Sequence, residues 1–493
     1  MTVRTELNTL QARGLVQVAN LEPELEYTFR HALVQDAAYG SLLKQDRRLL
    51  HRRAADALRA LYPERARELA SVFAMHLEQA GDLAAAAEQL VVAGEHALER
   101  FANQEAIGFF RRALTLLGPD DPRVELPLRA AVGVARAAWG FAGPDQLIAD
   151  LERTLARAPN ADRGLVGDAY FWIAFLRGKR GENPDTSPAL REALARAAEI
   201  GKTSGDPAAR AMPHAFMGAF MALVGHLRAG AETMSQALDE LQGSADPRST
   251  AMLANFLAGT QARLGQFDEA ERTLALSEKL AQSGDEIARL DAALTRAILR
   301  IERGEIDDGE ALAFQCAVKS EDLGAVACMV GANLTLGTAR LAREDVIGAR
   351  PPVERGHELA LVANLAPMRT LLEGMLGTIK ARLGDLPAGA AGWDEALRSA
   401  RTMNDRTAEA VTLWLRARAY PSQPDPSWSL ALGDFDAAAA LFEAMEARPS
   451  LARVLRDRAA ALRALGRPGE ADASTKRANE LAKELGLRDF APA

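Results

Sequence analysis

Seven histidines, His31, His51, His76, His96, His214, His226 and His357, are the residues of this sequence best suited to hold a metal or move a proton. None stands in an HExxH arrangement or beside acidic residues at metal-ligand spacing, so no metal centre is expected. Cys316 and Cys328 lie twelve residues apart in Ala-rich helical sequence, with no CxxC pair, and are expected to be reduced core thiols. The nearest approach to a phosphate loop is Gly201-Lys202-Thr203. Arg196, not a glycine, stands five positions before Gly201, and the segment follows a helix-like run, Pro188–Ile200, so the backbone nest that cradles phosphates is missing. No GxSxG elbow appears. Paired carboxylates such as Asp307-Asp308 fall in turns, where capping a helix explains them. The expectation is a chain with no catalytic residue, no metal and no cofactor: not an enzyme by itself.

Two other clusters are suited to binding. The basic run Lys44, Arg47, Arg48, His51, Arg52, Arg53 and Arg59 is the strongest charge feature. With Asp46 and Asp56 interleaved, a solvated helix face is its plain reading and a docking face for an acidic partner its sharper one. The run Tyr170-Phe171-Trp172-Ile173-Ala174-Phe175 concentrates aromatics in a chain where they make up 5%. Core packing is its plain reading, because several of these side chains share one helical face. As groove anchors, Phe171, Trp172 and Phe175 would be the candidates, together with Arg47, Arg48, Arg52 and Arg53 from the basic run.

Such residues need elements to hold them, and the composition favours helices. Ala, Leu, Arg and Glu dominate the 493 residues, 48% are hydrophobic, and unbranched side chains lose little entropy in a helix. The net charge of −8 argues against a nucleic-acid partner held by a global positive field. No run approaches the roughly 18 apolar residues of a membrane span, and a cytoplasmic chain with no membrane partner is expected.

Ser249–Asp285 shows how the helices are arranged. Met252–Leu264 and Ala270–Ala281 carry apolar stripes at helical spacing (Leu253, Phe256, Leu257, Leu264; then Leu274, Leu276, Leu280), joined through Gly265 and Asp268. Gly265 can take positive φ where the first helix stops, and Asp268 can cap the second. Such a hairpin cannot bury its apolar side alone. Similar turns recur near Gly140, Gly181, Gly225, Gly265, Gly304, Glu344, Gly384, Gly433 and Gly466, at spacings of 41, 44, 40, 39, 40, 40, 49 and 33 residues. Fixed periods in this range predict stacked helical hairpins. The long gap is assigned to the proline-rich Tyr420–Trp428, which is not expected to be helical.

Leu376-Gly377, Gly384, Leu386, Trp393 and Ala396 resemble the tetratricopeptide motif, in which a small residue lets two helices approach and a large one fills the space above. Gln261 and Lys380 stand where the motif prefers an aromatic, and most spacings exceed its roughly 34 residues. Longer helices or looser turns would account for that, with HEAT-like stacking as the alternative.

Near the N-terminus, Glu6–Gly14 reads as a short helix. Leu15–Val18 and Leu25–Phe29 read as a β-hairpin around Glu22-Pro23, the back half of a winged helix. Left without the front half, Leu15, Val18, Leu25 and Phe29 would expose an apolar face. The segment that follows, Tyr27-Thr28-Phe29-Arg30-His31-Ala32-Leu33, then Ala38-Tyr39-Gly40-Ser41-Leu42-Leu43 and Arg47-Arg48-Leu49-Leu50-His51, resembles the C-terminal winged-helix and tetratricopeptide-repeat region of bacterial signal-transduction ATPases. Those include ATPases fused to class III adenylate or guanylate cyclases. The resemblance is specific over about residues 7–115 and implies a protein partner, an ATPase or nucleotide-cyclase module. The chain itself carries neither.

The expectation is an all-α, tetratricopeptide-like solenoid of helical hairpins with a small partial winged helix. A partial winged helix would span residues 1–36, a helical junction with the first hairpins residues 37–120, and the repeat solenoid residues 121–493. The function expected is a non-catalytic interaction or sensor scaffold of a signalling ATPase or cyclase system. The alternative, part of an ATPase-type transcriptional regulator, would call for a terminal helix-turn-helix, whereas Leu451–Leu487 reads as one more repeat and a capping helix.

Overall fold

The computed structural model describes residues 3–20, 26–118, 121–241, 247–281, 285–423 and 426–490. The chain divides into two compact units, one of residues 1–96 and 108–121, the other of residues 97–107 and 122–493.

In the smaller unit the helix Val3–Ala12 precedes two antiparallel strands, Val16–Asn20 and Glu26–Phe29, with Val16 opposite Phe29 and Val18 opposite Tyr27. Val16 is in the interior while its cross-strand partner Phe29 is 42% exposed, and Leu15 and Val18 are half-buried. Glu22, Pro23 and Leu25 lie outside the described residues. The helix Ala32–Ser41 buries no residue, and Lys44–Leu61 buries Ala55 alone, against Leu77 and Ala86.

The larger unit is a solenoid of helical hairpins, and its most regular stretch explains its period. Val326–Ala342, Val346–Val362, Ala366–Arg382 and Leu386–Thr402 are each 17 residues long. Turns of three residues separate them, which makes a 40-residue repeat. Longer helices, not looser turns, account for the excess over the standard tetratricopeptide length. The turns are set locally: Asp345, Asp385 and Asp405 accept hydrogen bonds from the backbone N–H of Gly348, Ala388 and Ala408 at 2.8, 3.1 and 2.9 Å.

Within a hairpin the tetratricopeptide-like crossing is built as the motif requires. A Cβ at Gly377 would stand 2.7 Å from Trp393 and 2.8 Å from the carbonyl oxygen of Gly389, so only glycine allows this approach. Trp393 fills the space above it, 1% exposed, and its Nε1–H donates to Thr378 Oγ1 at 3.0 Å. The first helices of successive hairpins pack side by side (Pro247–Leu264, Glu286–Arg303, Val326–Ala342, Ala366–Arg382, Arg406–Ala419) and form the inner wall.

That wall curls until it meets itself. Pro247–Leu264 and Glu286–Arg303 both touch Arg448–Ala464. Along the seam, Asn364 Nδ2 donates to Asp145 at 2.8 Å and Asn404 Nδ2 to Asp185 at 3.1 Å, each pair 219 residues apart. Arg228 pairs with Glu446, 218 residues away, and the Arg488 N–H donates to the Arg303 carbonyl at 2.9 Å. One coil therefore takes roughly five and a half repeats. Turns inside the early hairpins rest on turns between the later ones.

Three local expectations are corrected. Leu432-Gly433-Asp434-Phe435 is not a turn but lies inside the helix Trp428–Ala444. The chain reverses earlier, from a short 3-10 turn at Tyr420–Ser422 to Trp428 itself, which opens that helix; residues 424 and 425 are outside the described set. Phe256 does not join the apolar stripe and is 41% exposed. Asp268 falls in the first turn of Phe267–Ala281 and does not precede it.

Candidate functional site

The inner wall encloses a cavity of about 210 Å³. Met375, Val411, Trp414 and Phe442 are among its apolar lining, and Arg263, Glu302, Arg418 and Arg453 are its charged lining. These come from helices between Pro247 and Ala464, which the coil, not the sequence, brings together. Trp414 Nε1–H donates to Asp457 at 2.8 Å, and its ring packs edge-on against Phe442 with the Arg418 guanidinium 5.7 Å from its centre, which fixes the indole.

Two of the guanidinium groups are held in place by the fold. Arg453 donates to Asp489 at 2.7 Å and to the carbonyls of Ile301 and Glu302 at 3.2 and 3.0 Å. Arg418 donates to the Leu341 carbonyl at 3.2 Å and pairs with Glu344. Glu302 faces Arg453 at 3.5 Å without a hydrogen bond, and its side chain is 21% exposed. Burial pushes its carboxyl pKa up, against the pull of Arg453 and Arg263.

A second, smaller cavity of about 30 Å³ lies among Trp139, Phe171, Trp172, Arg248, Asn255 and Asp285. This is where the aromatic run sits. Phe171 and Trp172 are 9% exposed and Phe175 2%, and the rings of Phe171, Phe175 and Phe216 stack within 5.0 to 6.3 Å of one another. Asp285 caps the next helix, with Oδ1 accepting from the N–H of Ile287 and Ala288 at 3.1 Å, while Oδ2 faces Arg248 at 3.3 Å.

Beside it is a half-buried polar cluster with no sequence signature. Lys179 Nζ donates to the Trp139 carbonyl at 2.9 Å and lies 4.9 Å from that indole's centre. Its pKa drops to about 8 because burial disfavours the ammonium. Asp291, half-buried, is raised to about 6 by desolvation and accepts from the Cys328 thiol at 3.2 Å. Burial holds the Cys328 thiol well above its ordinary value and pushes Cys316 to about 11, so neither is a reactive thiolate at neutral pH.

The basic run does not share one face. Arg52 pairs with Asp82 at 2.5 Å, Arg47 lies 5.1 Å from the centre of the Tyr39 ring, and Arg48 covers Gly81. Arg53 is exposed. Within the same unit His51 Nδ1 and His76 Nδ1 are 2.9 Å apart, and Tyr39 Oη meets His51 Nε2 at 2.9 Å. Burial and the neighbouring His51 lower the His76 pKa. Gly201 and Lys202 end the helix Pro188–Lys202, and Thr203 follows as its C-cap. No group of three or more potential metal ligands occurs among the described residues. No helix among them is long and apolar enough to cross a membrane.

No protein-family model matches this chain. An uncharacterized protein of Rhizobium meliloti (strain 1021) is 32% identical over 111 residues, which is 22% of this chain and 11% of that protein, so the match spans about a tenth of that relative's length. Among solved structures, a Rap protein complexed with Competence and Sporulation Factor superposes with a TM-score of 0.56 at 12% identity, covering 74% of this chain and 98% of that one. The likeness is one of fold. The apo form of the quorum sensor NprR from B. thuringiensis covers 73% of this chain and 99% of its own, at 14% identity and a TM-score of 0.45. The chain is a tetratricopeptide-like helical solenoid with a two-stranded sheet near its N-terminus.

Proposed function

We propose that this chain is a non-catalytic, ligand-reading arm of a signalling system, and that a peptide segment is what its coil reads. The observation that carries this reading is the cavity on the inner wall, lined mostly by apolar side chains with a few charged groups among them. Cavities of that composition hold one ligand in one orientation, since the apolar part supplies affinity and the few polar groups fix direction. The Rap protein of the same fold was solved with a bound factor, which is in keeping with a binding role.

We further propose that the arm serves an ATPase or nucleotide-cyclase module. The support is the junction-like sequence around Phe29–His51. Occupancy of the cavity would bias the coil between two curvatures, and the module would respond to whichever state its contacts prefer.

Retention of synthetic random pentapeptides by the full chain, read by mass spectrometry, tests the first part. The wild type should retain a subset, and Ser450→Phe, at a residue that lines the cavity and would fill it from the wall, should lose at least tenfold. No retention, or retention indifferent to Ser450→Phe, removes the peptide reading. The second part is tested by the nucleotide turnover of such a module with and without the peptide-loaded chain. Unchanged turnover removes it.

A further inference from the structure

The charges lining the inner cavity are unequal in number and in occupation. Three guanidinium groups face it against one carboxylate, in a chain whose net charge is −8. Arg418 and Arg453 are held by carbonyl and carboxylate acceptors of the fold. Arg263 is different. It stands near the end of Pro247–Leu264, half-buried, and makes no hydrogen bond or ion pair with any described residue. It acts on Glu302 and the buried Asp405 through space, without a hydrogen bond to either.

A guanidinium carries five N–H donors in a planar fork that matches a carboxylate with two parallel hydrogen bonds. A half-buried fork with no acceptor among the described residues, on the wall of a partly apolar cavity, is open to a bound carboxylate. The size of the space narrows the ligand further. About 210 Å³ is below the roughly 300–1,000 Å³ of a pocket for a drug-sized ligand, which suits the end of a chain better than a long threaded segment.

We propose that the cavity takes the carboxy-terminal residue of a peptide, its terminal carboxylate on Arg263 and its apolar side chain against Met375, Trp414 and Phe442. Glu302, on the neighbouring inner helix, is left to accept a peptide N–H. This rests on the peptide reading above and assigns that reading a direction and a terminal group.

Three pools of synthetic pentapeptides test it on the full chain. The first is free of Asp and Glu and has a free carboxyl terminus, the second is the same pool amidated, and the third is amidated but contains Asp and Glu. The wild type should retain the first pool at least tenfold over the second and third. Arg263→Met should abolish that preference and Arg263→Lys should keep part of it, with thermal melts confirming that both variants fold. Equal retention of the free and amidated pools by the wild type overturns the assignment while leaving the peptide reading intact. So does a preference that survives in Arg263→Met. Strong retention of the third pool shows a side-chain carboxylate in the site and overturns the terminal assignment. Retention of no pool overturns the assignment and the peptide reading together.

Discussion

Gly304 and Gly384 hold the same place in their hairpins, each just beyond the first helix, at φ of 88° and 99°. Around Gly384 nothing lies within 4 Å of where a Cβ would stand, whereas at Gly304 that Cβ would be 2.5 Å from the backbone nitrogen of Asp489. Gly225, in an early hairpin, resembles Gly304: its Cβ would meet Met445 and Arg406 at 2.9 Å. A turn glycine in the later coil is thus required by its own backbone alone. In the earlier coil it is required a second time, by the chain that returns over it.

The largest test of that difference is Gly304→Ala against Gly384→Ala. Both must place alanine in the left-handed region, costing about 1 to 2 kcal/mol. Gly304→Ala must also displace Asp489, adding about 1 to 3 kcal/mol of overpacking. Urea unfolding should therefore show Gly304→Ala losing about twice as much stability or more. Equal losses would break the comparison.

Next in size is the turn at Asp405, which caps its helix while buried, 3% exposed. Burial raises its carboxyl to about 6 from 3.8. The folded state then binds the proton more tightly than the unfolded one, so this group's contribution falls as pH rises from about 4 to 6 and stays low above that. Asn keeps the cap without the charge. Asp405→Asn should be more stable than wild type by on the order of 1 to 3 kcal/mol at pH 8, and the gap should close near pH 4. A gap that is the same at both pH values would remove the buried charge as its cause.

The smallest effect isolates one seam contact. Asn404 has φ of 53° and donates to Asp185 across the coils. Asn404→Gly keeps that backbone conformation and removes the exposed hydrogen bond, so its loss should stay below about 1 kcal/mol. Asn404→Ala should lose more than Asn404→Gly, because strain is added. Equal losses in chemical denaturation would mean that the seam bond, and not the backbone, sets the cost.

Much of the solenoid is legible in the sequence because its punctuation is local. Glycine at positive φ and aspartate caps recur about every 40 residues, and Gly377 and Trp393 announce the helix crossing that the structure builds. Locality also explains the failure at Gly433. Leu432-Gly433-Asp434-Phe435 has nearly the same residue types as the true turn Leu383-Gly384-Asp385-Leu386. In the fold, however, Asp434 is engaged by Arg416 at 2.6 Å and Phe435 is 3% exposed, so tertiary partners keep the tetrad helical. The reversal passes to the proline-rich segment before it, which restores the 40-residue rhythm.

The candidate site was far less legible. Arg263, Glu302 and Trp414 share a cavity only because inner helices from different repeats converge, and no spacing along the chain encodes that. The aromatic run was legible as a cluster, and the fold packs it beside a smaller space. The basic run read as one stretch, whereas the helix turns Arg47, Arg48 and Arg52 toward neighbouring elements and Arg53 toward solvent.

The half-integral count of repeats per coil has a further consequence, best seen as masonry. Courses of brick laid with their joints offset cannot be split along one vertical plane, and here each joint between repeats in one coil is bridged by the body of a repeat in the other. A linear repeat array loses its end units one at a time, because each touches only its neighbours. In this bonded wall, freeing one repeat of the early coil also strips support from the late one. The larger unit should therefore yield as a whole, in one cooperative step.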